Sequence, residues 1–315
     1  MSHNKENRIS GKTPSEETFR PEAADAPGKE GHIPAKTESA AKAGRKRTVF
    51  FVLVIAFAAA IAALEIFPPA YSADPLIQDM MKVTVTRLIG AALFIPIMLT
   101  RKYKILGFAK ENRAFALLVT LPALAVVVNN LPVIGLISGG AAVTRKGLYL
   151  ALYALESISI GLFEEVAFRG VLFMSVLEDR RSTSREIFGA TLVTSLVFGA
   201  VHLLNLFIGA SPLSVMLQVG YSFLIGGMCA IVLLRTHSVW ICVFLHSLFD
   251  FNGNLVPKLG EGKIWDAATV AITAVLGVAV LVFMLAVLKN TRPSDVAGIF
   301  PDIPPEPDGD GGKPE

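Results

Sequence analysis

The chain has 315 residues, of which 53% are hydrophobic and only 17% charged, and its mean hydropathy is +0.57. These values exclude a purely cytosolic globular protein and indicate a membrane domain. The two cysteines, Cys229 and Cys242, fall within apolar segments, so a disulfide framework and a cysteine-rich metal site are excluded as well.

Two polar tails flank the apolar part of the chain. Residues 1–46 are rich in Lys, Glu, Ser, Ala, Pro and Gly and contain almost no large aliphatic side chains. Such a composition cannot bury enough apolar surface to offset the entropy of ordering, so a disordered cytosolic tail is predicted. Residues 290–315 contain a Pro-Pro pair and an Asp-Gly-Asp-Gly-Gly run, which predict a second disordered tail.

Between the tails, residues 47–289 form one predicted membrane domain. Apolar stretches able to span about 30 Å of hydrocarbon cover residues 49–67, 83–100, 115–137, 148–168, 187–208, 213–234, 238–251 and 265–288. The predicted fold is therefore an all-α polytopic membrane protein with about eight transmembrane helices. The seventh stretch is short for a spanning helix, and its boundaries are the least defined.

Basic residues in the loops predict how the domain is oriented. The basic run at residues 42–47 comes directly before the first apolar stretch, which is typical of a topology signal rather than of nucleic-acid binding. Most other basic loops then fall on the same side, so both termini are predicted to be cytosolic. The exception is the pair Arg145 and Lys146. The expected location is the bacterial inner membrane, with the lipid bilayer as a partner and no nucleic acid.

Ionisable side chains inside apolar stretches are the candidates for function, because each charged group at a helix centre is disfavoured by roughly 2.5–3.5 kcal/mol. Glu164 lies on the fourth stretch, His202 on the fifth and His246 on the seventh. At about 1.5 Å per residue, these three lie roughly 15–22 Å from the cytosolic helix ends. Together they favour a functional site, because buried ionisable groups in membranes cluster at pathways and active sites.

Helical spacing suggests which of these groups form pairs. Glu165 and Arg169 are i,i+4 neighbours with the acid first, the favourable order for an ion pair. Glu164 lies about 100° around the helix and is left without that partner, which suits a general acid or base. His246 and Asp250 are also i,i+4, so this carboxylate can fix the imidazole tautomer, serve as a ligand or lie beside an oxyanion.

The role of the Glu165–Arg169 pair is open between structure and function. The pair can hold its helix against neighbouring helices, and Arg169 can also stabilise a carboxylate or a substrate carbonyl.

Two arrangements of the candidate residues are open. Glu164, His202 and His246 can form a three-ligand zinc site with an open position, or they can act without a metal. The chain has no HExxH motif, which excludes the zincin arrangement. Zinc is a candidate cofactor, and the metal-free arrangement based on Glu164 is preferred.

Three ordered motifs on successive hydrophobic segments resemble the CAAX protease and bacteriocin-processing (CPBP) family of intramembrane proteases. They are Glu164-Glu165-x-x-x-Arg169, Phe198-x-x-x-His202 and His246-x-x-x-Asp250. The resemblance spans about residues 148–255. It implies an eight-helix membrane fold and an intramembrane endopeptidase, and the family includes the Ras-converting enzyme that cuts behind prenylated cysteines.

The resemblance also implies a role for each residue. Glu164 would activate water, His202 and His246 would help to position that water, and a fourth polar residue would stabilise the oxyanion. That residue here is Asp250. An ionised aspartate cannot donate a hydrogen bond, so Asp250 is either protonated or orients His246.

Two other classes of function stay open. One is a non-proteolytic membrane immunity or scaffold protein of the same family. The other is a proton-coupled transporter, against which the lack of an evident two-half repeat counts. The expected partner of an enzyme is a membrane-embedded protein or peptide substrate. A prenylated protein is not the expected substrate if the chain is bacterial, whereas a peptide precursor and a sorting tail are both compatible with the sequence. The oligomeric state is open.

Overall fold

The computed structural model describes residues 66–109 and 113–301, together with residues 52, 59–60 and 63–64. The tail predicted at residues 1–46, most of the first apolar stretch and residues 302–315 lie outside the described residues. The chain divides into Met1–Ala56 and Phe57–Glu315, and the following description concerns the second unit.

The described part of the chain is helical almost throughout, which confirms the predicted all-α class. The α-helices are α1 Pro75–Thr100, α2 Arg113–Asn129, α3 Val133–Ser138, α4 Leu148–Glu165, α5 Met174–Asp179, α6 Ser184–Val201, α7 Pro212–Thr236, α8 Val239–Leu259, α9 Ala267–Lys289 and α10 Pro293–Ala297. A π-helix, Val166–Phe173, joins α4 to α5, and a 3₁₀-helix, His202–Ile208, follows α6.

Five helices of the described chain are long and apolar enough to cross a membrane, as expected for an integral membrane protein. They are Pro75–Thr100, Ser184–Phe207, Pro212–Thr236, Val239–Leu259 and Ala267–Lys289. Helix α2 is apolar but has 17 residues, and the 18 residues of α4 include three glutamates. The total of eight spans stays a prediction, because the first stretch lies largely outside the described residues.

Helix starts follow local capping chemistry more closely than hydropathy. Helix α1 begins at Pro75, well before the predicted residue 83, because Asp74 caps it. The Oδ1 atom of Asp74 accepts hydrogen bonds from the N–H groups of Leu76 and Ile77 at 2.8 and 3.1 Å, and proline is favoured at the first helical position. Polar residues before an apolar run therefore extend this helix.

Two predicted stretches have different ends in the structure. The third, predicted as one stretch over 115–137, is broken into α2 and α3 at Leu131 and Pro132, because proline disfavours a helical conformation in the residue before it. The seventh, predicted over 238–251, continues to Leu259. The added residues include polar side chains that are buried against other helices. Asn252 is 6% exposed and donates to the Val127 carbonyl oxygen at 2.8 Å.

Helix α4 packs against α1 on one side and α8 on the other. The approach to α8 is close at Gly161, where an added Cβ would collide with Ser247 Oγ and lie 3.0 Å from the Val243 carbonyl oxygen. The absence of a side chain at Gly161 therefore lets the end of α4, which carries Glu164 and Glu165, lie directly against α8.

A short β-clip holds the loop before α4 to the end of α8. Strand β1, Ala141–Val143, pairs antiparallel with β2, Gly260–Gly262, and the N–H groups of Thr144 and Arg145 both bond to the Leu259 carbonyl oxygen at 2.9 Å. Strands of three residues were not predicted, because they are too short for an alternating pattern. The clip joins the start of α4 to the end of α8.

The first part of the predicted C-terminal tail is folded, which corrects the predicted start of the disordered tail at residue 290. Residues 293–297 form α10, and Val296, Ile299 and Phe300 are at most 3% exposed. The Phe300 ring lies 5.7 Å from the ring of Tyr103. These three apolar side chains supply a small hydrophobic anchor, which a composition average over 26 residues concealed.

Candidate active site

The structure brings the predicted site residues together from four helical elements. Glu164 and Glu165 end α4, Arg169 lies in the π-helix, His202 begins the 3₁₀-helix, and His246 and Asp250 lie on α8. π-Helical turns inside long helices are frequent at functional sites. Here the π-helix directly follows the paired glutamates.

His246 is the centre of the cluster, with a carboxylate near each ring nitrogen. Its Nδ1 lies 2.6 Å from Glu165 Oε1, whereas its Nε2 lies 3.5 Å from Asp250 Oδ2 and 3.8 Å from Glu164 Oε2. His246 is 5% exposed. The expected i,i+4 pairing of His246 with Asp250 is therefore present, and the shortest contact of the ring is to Glu165.

Glu165 and Arg169 form the expected buried pair. Arg169 Nη1 lies 3.1 Å from Glu165 Oε1, and the two side chains are 3% and 0% exposed. Within the described residues neither Nη1 nor Nη2 has an aligned hydrogen-bond partner. The guanidinium instead lies over the ring of Phe198, at 4.2 Å from its centroid, so its charge is stabilised by a carboxylate and an aromatic face.

Phe198 connects the two histidines. Its ring centroid lies 5.4 Å from that of His202 and 5.8 Å from that of His246, in edge-to-face geometry. Phe198 is 1% exposed, so it fixes both imidazole rings by contact. The sequence motif Phe198-x-x-x-His202 thus corresponds to one packed unit.

A cavity of about 390 Å³ opens between these helices. Glu164, His202, His246 and Asp250 all line it. Glu165 and Arg169 lie behind its wall and are almost completely buried. The four lining residues can therefore contact a substrate, whereas Glu165 holds His246 and Arg169 pairs with Glu165. A direct contact between Arg169 and a substrate carbonyl is not favoured.

An ion-paired lysine at the cavity wall was missed by sequence reasoning. Lys258 Nζ lies 2.6 and 2.8 Å from the two carboxylate oxygens of Glu156 and 3.2 Å from Asp79 Oδ2. Both Glu156 and Lys258 line the cavity. The available signal was the carboxylate at position 156 inside an apolar stretch, which requires a cation when it is buried.

The proposed zinc ligands are not gathered for coordination. Within the described residues, the three side chains whose donor atoms lie within 4.8 Å of one another are Glu165, Cys229 and Cys242, and not Glu164, His202 and His246. Glu165 is already bound to His246 and Arg169. The donor set at the cavity therefore does not fit a tetrahedral metal ion in this conformation.

The fold and the cavity together define the class of the protein: a helical integral membrane protein with glutamates and histidines gathered around an internal polar cavity. Residues 146–252 match the family model described as Type II CAAX prenyl endopeptidase Rce1-like. This segment covers about a third of the 315 residues and contains all six predicted site residues. Over these residues the chain is similar to the CAAX protease family, which supports the resemblance. No curated protein and no solved structure matches the chain.

Proposed function

We propose that the protein is an intramembrane endopeptidase that hydrolyses a peptide bond of a membrane-associated protein or peptide. The observation that carries the proposal is the shared cavity, lined by Glu164, His202, His246 and Asp250. The similarity of residues 146–252 to a protease family supports hydrolysis over transport.

Glu164 is the general base of the proposed reaction. Its side chain is 13% exposed and faces the cavity without the bidentate partner that Glu156 has. A water molecule beside Glu164 and His202 loses a proton to the Glu164 carboxylate while its oxygen attacks the scissile carbonyl. The tetrahedral intermediate then collapses, the C–N bond breaks, and the proton on Glu164 passes to the leaving amine.

Glu165 and Arg169 are positioning residues in this scheme. The short contact from Glu165 to His246 Nδ1 sets the orientation of the ring, so that Nε2 is directed at Glu164 and Asp250. Arg169 neutralises the buried Glu165 charge. No step of this mechanism requires a metal ion.

The substrate is proposed to be a protein or peptide precursor held in or at the bilayer. The description of the matched family names CAAX prenyl substrates, so a prenylated CAAX peptide is the first probe. An orientation with cytosolic termini and a bacterial inner-membrane location remain part of the proposal.

Cleavage by purified protein in liposomes tests this function. The probes are an internally quenched farnesylated CAAX peptide and its non-prenylated counterpart, together with a search for new N-termini in membranes of cells that express the protein. Glu164→Gln removes the base at nearly constant size and should reduce cleavage by at least about 10²-fold. Glu261→Gln, on the exposed strand β2, is the matched control.

The proposal fails if Glu164→Gln retains cleavage, or if neither assay shows any product that depends on Glu164. In the second case a non-proteolytic family member is the better description. Addition of a chelator to the same assay tests the mechanism, and a rate that falls with chelator and returns with zinc would replace the metal-free scheme.

A further inference from the structure

Two buried thiols lie next to the carboxylate that holds His246. Cys229 on α7 and Cys242 on α8 are both 0% exposed, and Cys242 Sγ lies 3.2 Å from the Cys229 carbonyl oxygen. The two Sγ atoms and a carboxylate oxygen of Glu165 all lie within 4.8 Å of one another. Neither cysteine lines the cavity, and the mechanism proposed above uses neither of them.

The Glu165 carboxylate uses only one of its two oxygens for its charged neighbours. His246 Nδ1 and Arg169 Nη1 both contact Oε1, at 2.6 and 3.1 Å. The other oxygen, Oε2, is buried and has no hydrogen-bond partner within the described part of the chain. A buried carboxylate oxygen without a donor is unfavourable, and a cation bound to Oε2 would remove that cost.

Two thiols and a carboxylate form a mixed donor set that suits a thiophilic divalent cation. Thiolate sulfur and carboxylate oxygen are both ligands of Zn²⁺, and soft thiolates favour such ions over Mg²⁺ or Ca²⁺. In a tetrahedral zinc site, sulfur and oxygen ligand atoms lie about 3.3–3.8 Å apart. The three donor atoms would therefore have to approach one another by at most about 1.5 Å, which small side-chain rotations can supply.

The surrounding charge also fits a bound cation. Metal binding displaces the two S–H protons, so two thiolates, one carboxylate and a divalent cation together carry one net negative charge. Arg169 balances that charge. A Cβ added to Gly226, which precedes Cys229 by three residues on α7, would lie 3.0 Å from Arg169 Nη2, so the guanidinium reaches this face of the helix.

We propose that Cys229, Cys242 and Glu165 form a binding site for a thiophilic divalent cation, Zn²⁺ or Cd²⁺, separate from the catalytic cavity. Each cation displaces two thiol protons into solvent, and no atom changes its oxidation state. A metal-bound carboxylate is a poorer hydrogen-bond acceptor, so occupancy weakens the contact from Glu165 to His246. Occupancy therefore inhibits cleavage, and this consequence rests on the proposed endopeptidase function.

Titration of the reduced, purified protein with CdCl₂ in detergent tests the site without a substrate. The thiolate-to-cadmium charge-transfer absorption should saturate at one ion per chain, with release of about two protons per ion. Each addition is followed to completion, because entry to buried ligands requires local opening. Cys229→Ala, Cys242→Ala and Glu165→Gln should each weaken binding by at least about 10²-fold. Glu164→Gln, which alters the neighbouring carboxylate in the cavity, is the matched control and should bind as the wild type does.

Addition of the same ions to the cleavage assay tests the inhibition. Zn²⁺ and Cd²⁺ should each lower the rate of the wild type by at least about tenfold, the opposite of the effect of a catalytic zinc ion. The cysteine variants, each compared with its own metal-free rate, should not respond.

The possible outcomes separate the site from its effect on cleavage. A wild-type protein without the thiolate absorption and proton release overturns the site, and so does binding that is lost in Glu164→Gln but kept in the cysteine variants. Saturable binding with an unchanged rate, or inhibition that persists in the cysteine variants, overturns the link to His246. If no cleavage depends on Glu164, the endopeptidase proposal fails, whereas the titration still decides whether the metal site exists.

Discussion

Removal of the Arg169 charge should destabilise the protein strongly, because it takes away the cation that neutralises the buried Glu165 carboxylate. Arg169→Met keeps most of the side-chain volume and removes the guanidinium, which lies 3.1 Å from Glu165 Oε1. Glu165 is 0% exposed, so water cannot replace the lost partner. Breaking such a buried pair costs about 3–5 kcal/mol of the free energy of unfolding.

The aromatic contact adds to this cost, although the ion pair is not ideally aligned. Arg169 lies 4.2 Å from the Phe198 ring centroid, and a desolvated cation–π contact contributes about 2 kcal/mol. Because Nη1 and Nη2 lack aligned hydrogen bonds within the described chain, the ion pair is weaker than an ideal one. We therefore take about 3–5 kcal/mol as the total loss in the free energy of unfolding, with the aromatic contact included. At 2–4 °C per kcal/mol, the unfolding temperature should fall by roughly 10 °C.

The cysteines provide the assay. Cys229 and Cys242 are both free and 0% exposed, so a thiol-reactive fluorogenic dye reports unfolding in detergent without an added label. The double variant Glu165→Gln/Arg169→Met removes both charges and should recover at least about half of the loss. It should remain catalytically impaired, because the carboxylate contact to His246 is gone. An Arg169→Met variant within about 1 kcal/mol of wild type would refute this reasoning.

Three further substitutions test the packing and the charges around the site. Gly161→Ala should lower the free energy of unfolding by about 1–3 kcal/mol, because the added methyl group separates α4 from α8. Gly189→Ala is the control: an added Cβ there meets nothing within 4 Å, so its thermal unfolding should be unchanged or occur at a higher temperature. Lys258→Met should lower the free energy of unfolding by about 3 kcal/mol, because it removes the cation that pairs with Glu156, which is 4% exposed. The double variant with Glu156→Gln should recover most of this loss if the pair is structural. The pKa of Asp74 is held below its usual value of 3.8 by a tyrosine hydroxyl group and by helix N–H groups. The stability that ionised Asp74 contributes is therefore complete above that usual value and is lost as pH falls through the lowered pKa. A wild-type advantage in thermal unfolding over Asp74→Asn that does not decline as pH falls below 3.8 contradicts this assignment.

Spacing within one helix made much of the site predictable, and packing between helices decided the rest. The i,i+4 pairs Glu165–Arg169 and His246–Asp250 follow from helical geometry alone, and both are present. That Glu165 makes the shortest contact with His246 was not predictable. It depends on the rotation of α4 against α8, which is set by the close approach of Gly161 to Ser247, and these two residues lie in different parts of the sequence.

Hydropathy failed where polar residues are buried by a specific partner. The seventh stretch was predicted to end at residue 251, yet α8 continues through Asn252 and Lys258 to Leu259. Asn252 bonds to a carbonyl oxygen of α2, and Lys258 bonds to Glu156. Because each partner comes from a distant part of the chain, a window average along the sequence cannot include its contribution.

The cavity volume has a consequence for the supply of the second substrate, water. A polar chamber of about 390 Å³ has room for on the order of ten water molecules, whereas hydrolysis of one peptide bond consumes a single molecule. The cavity therefore holds more water than one turnover consumes, even when the bound peptide displaces most of that water. For the hydrolysis proposed here, each attack can draw on solvent already beside Glu164, and slow permeation of water through the surrounding hydrocarbon need not limit the rate.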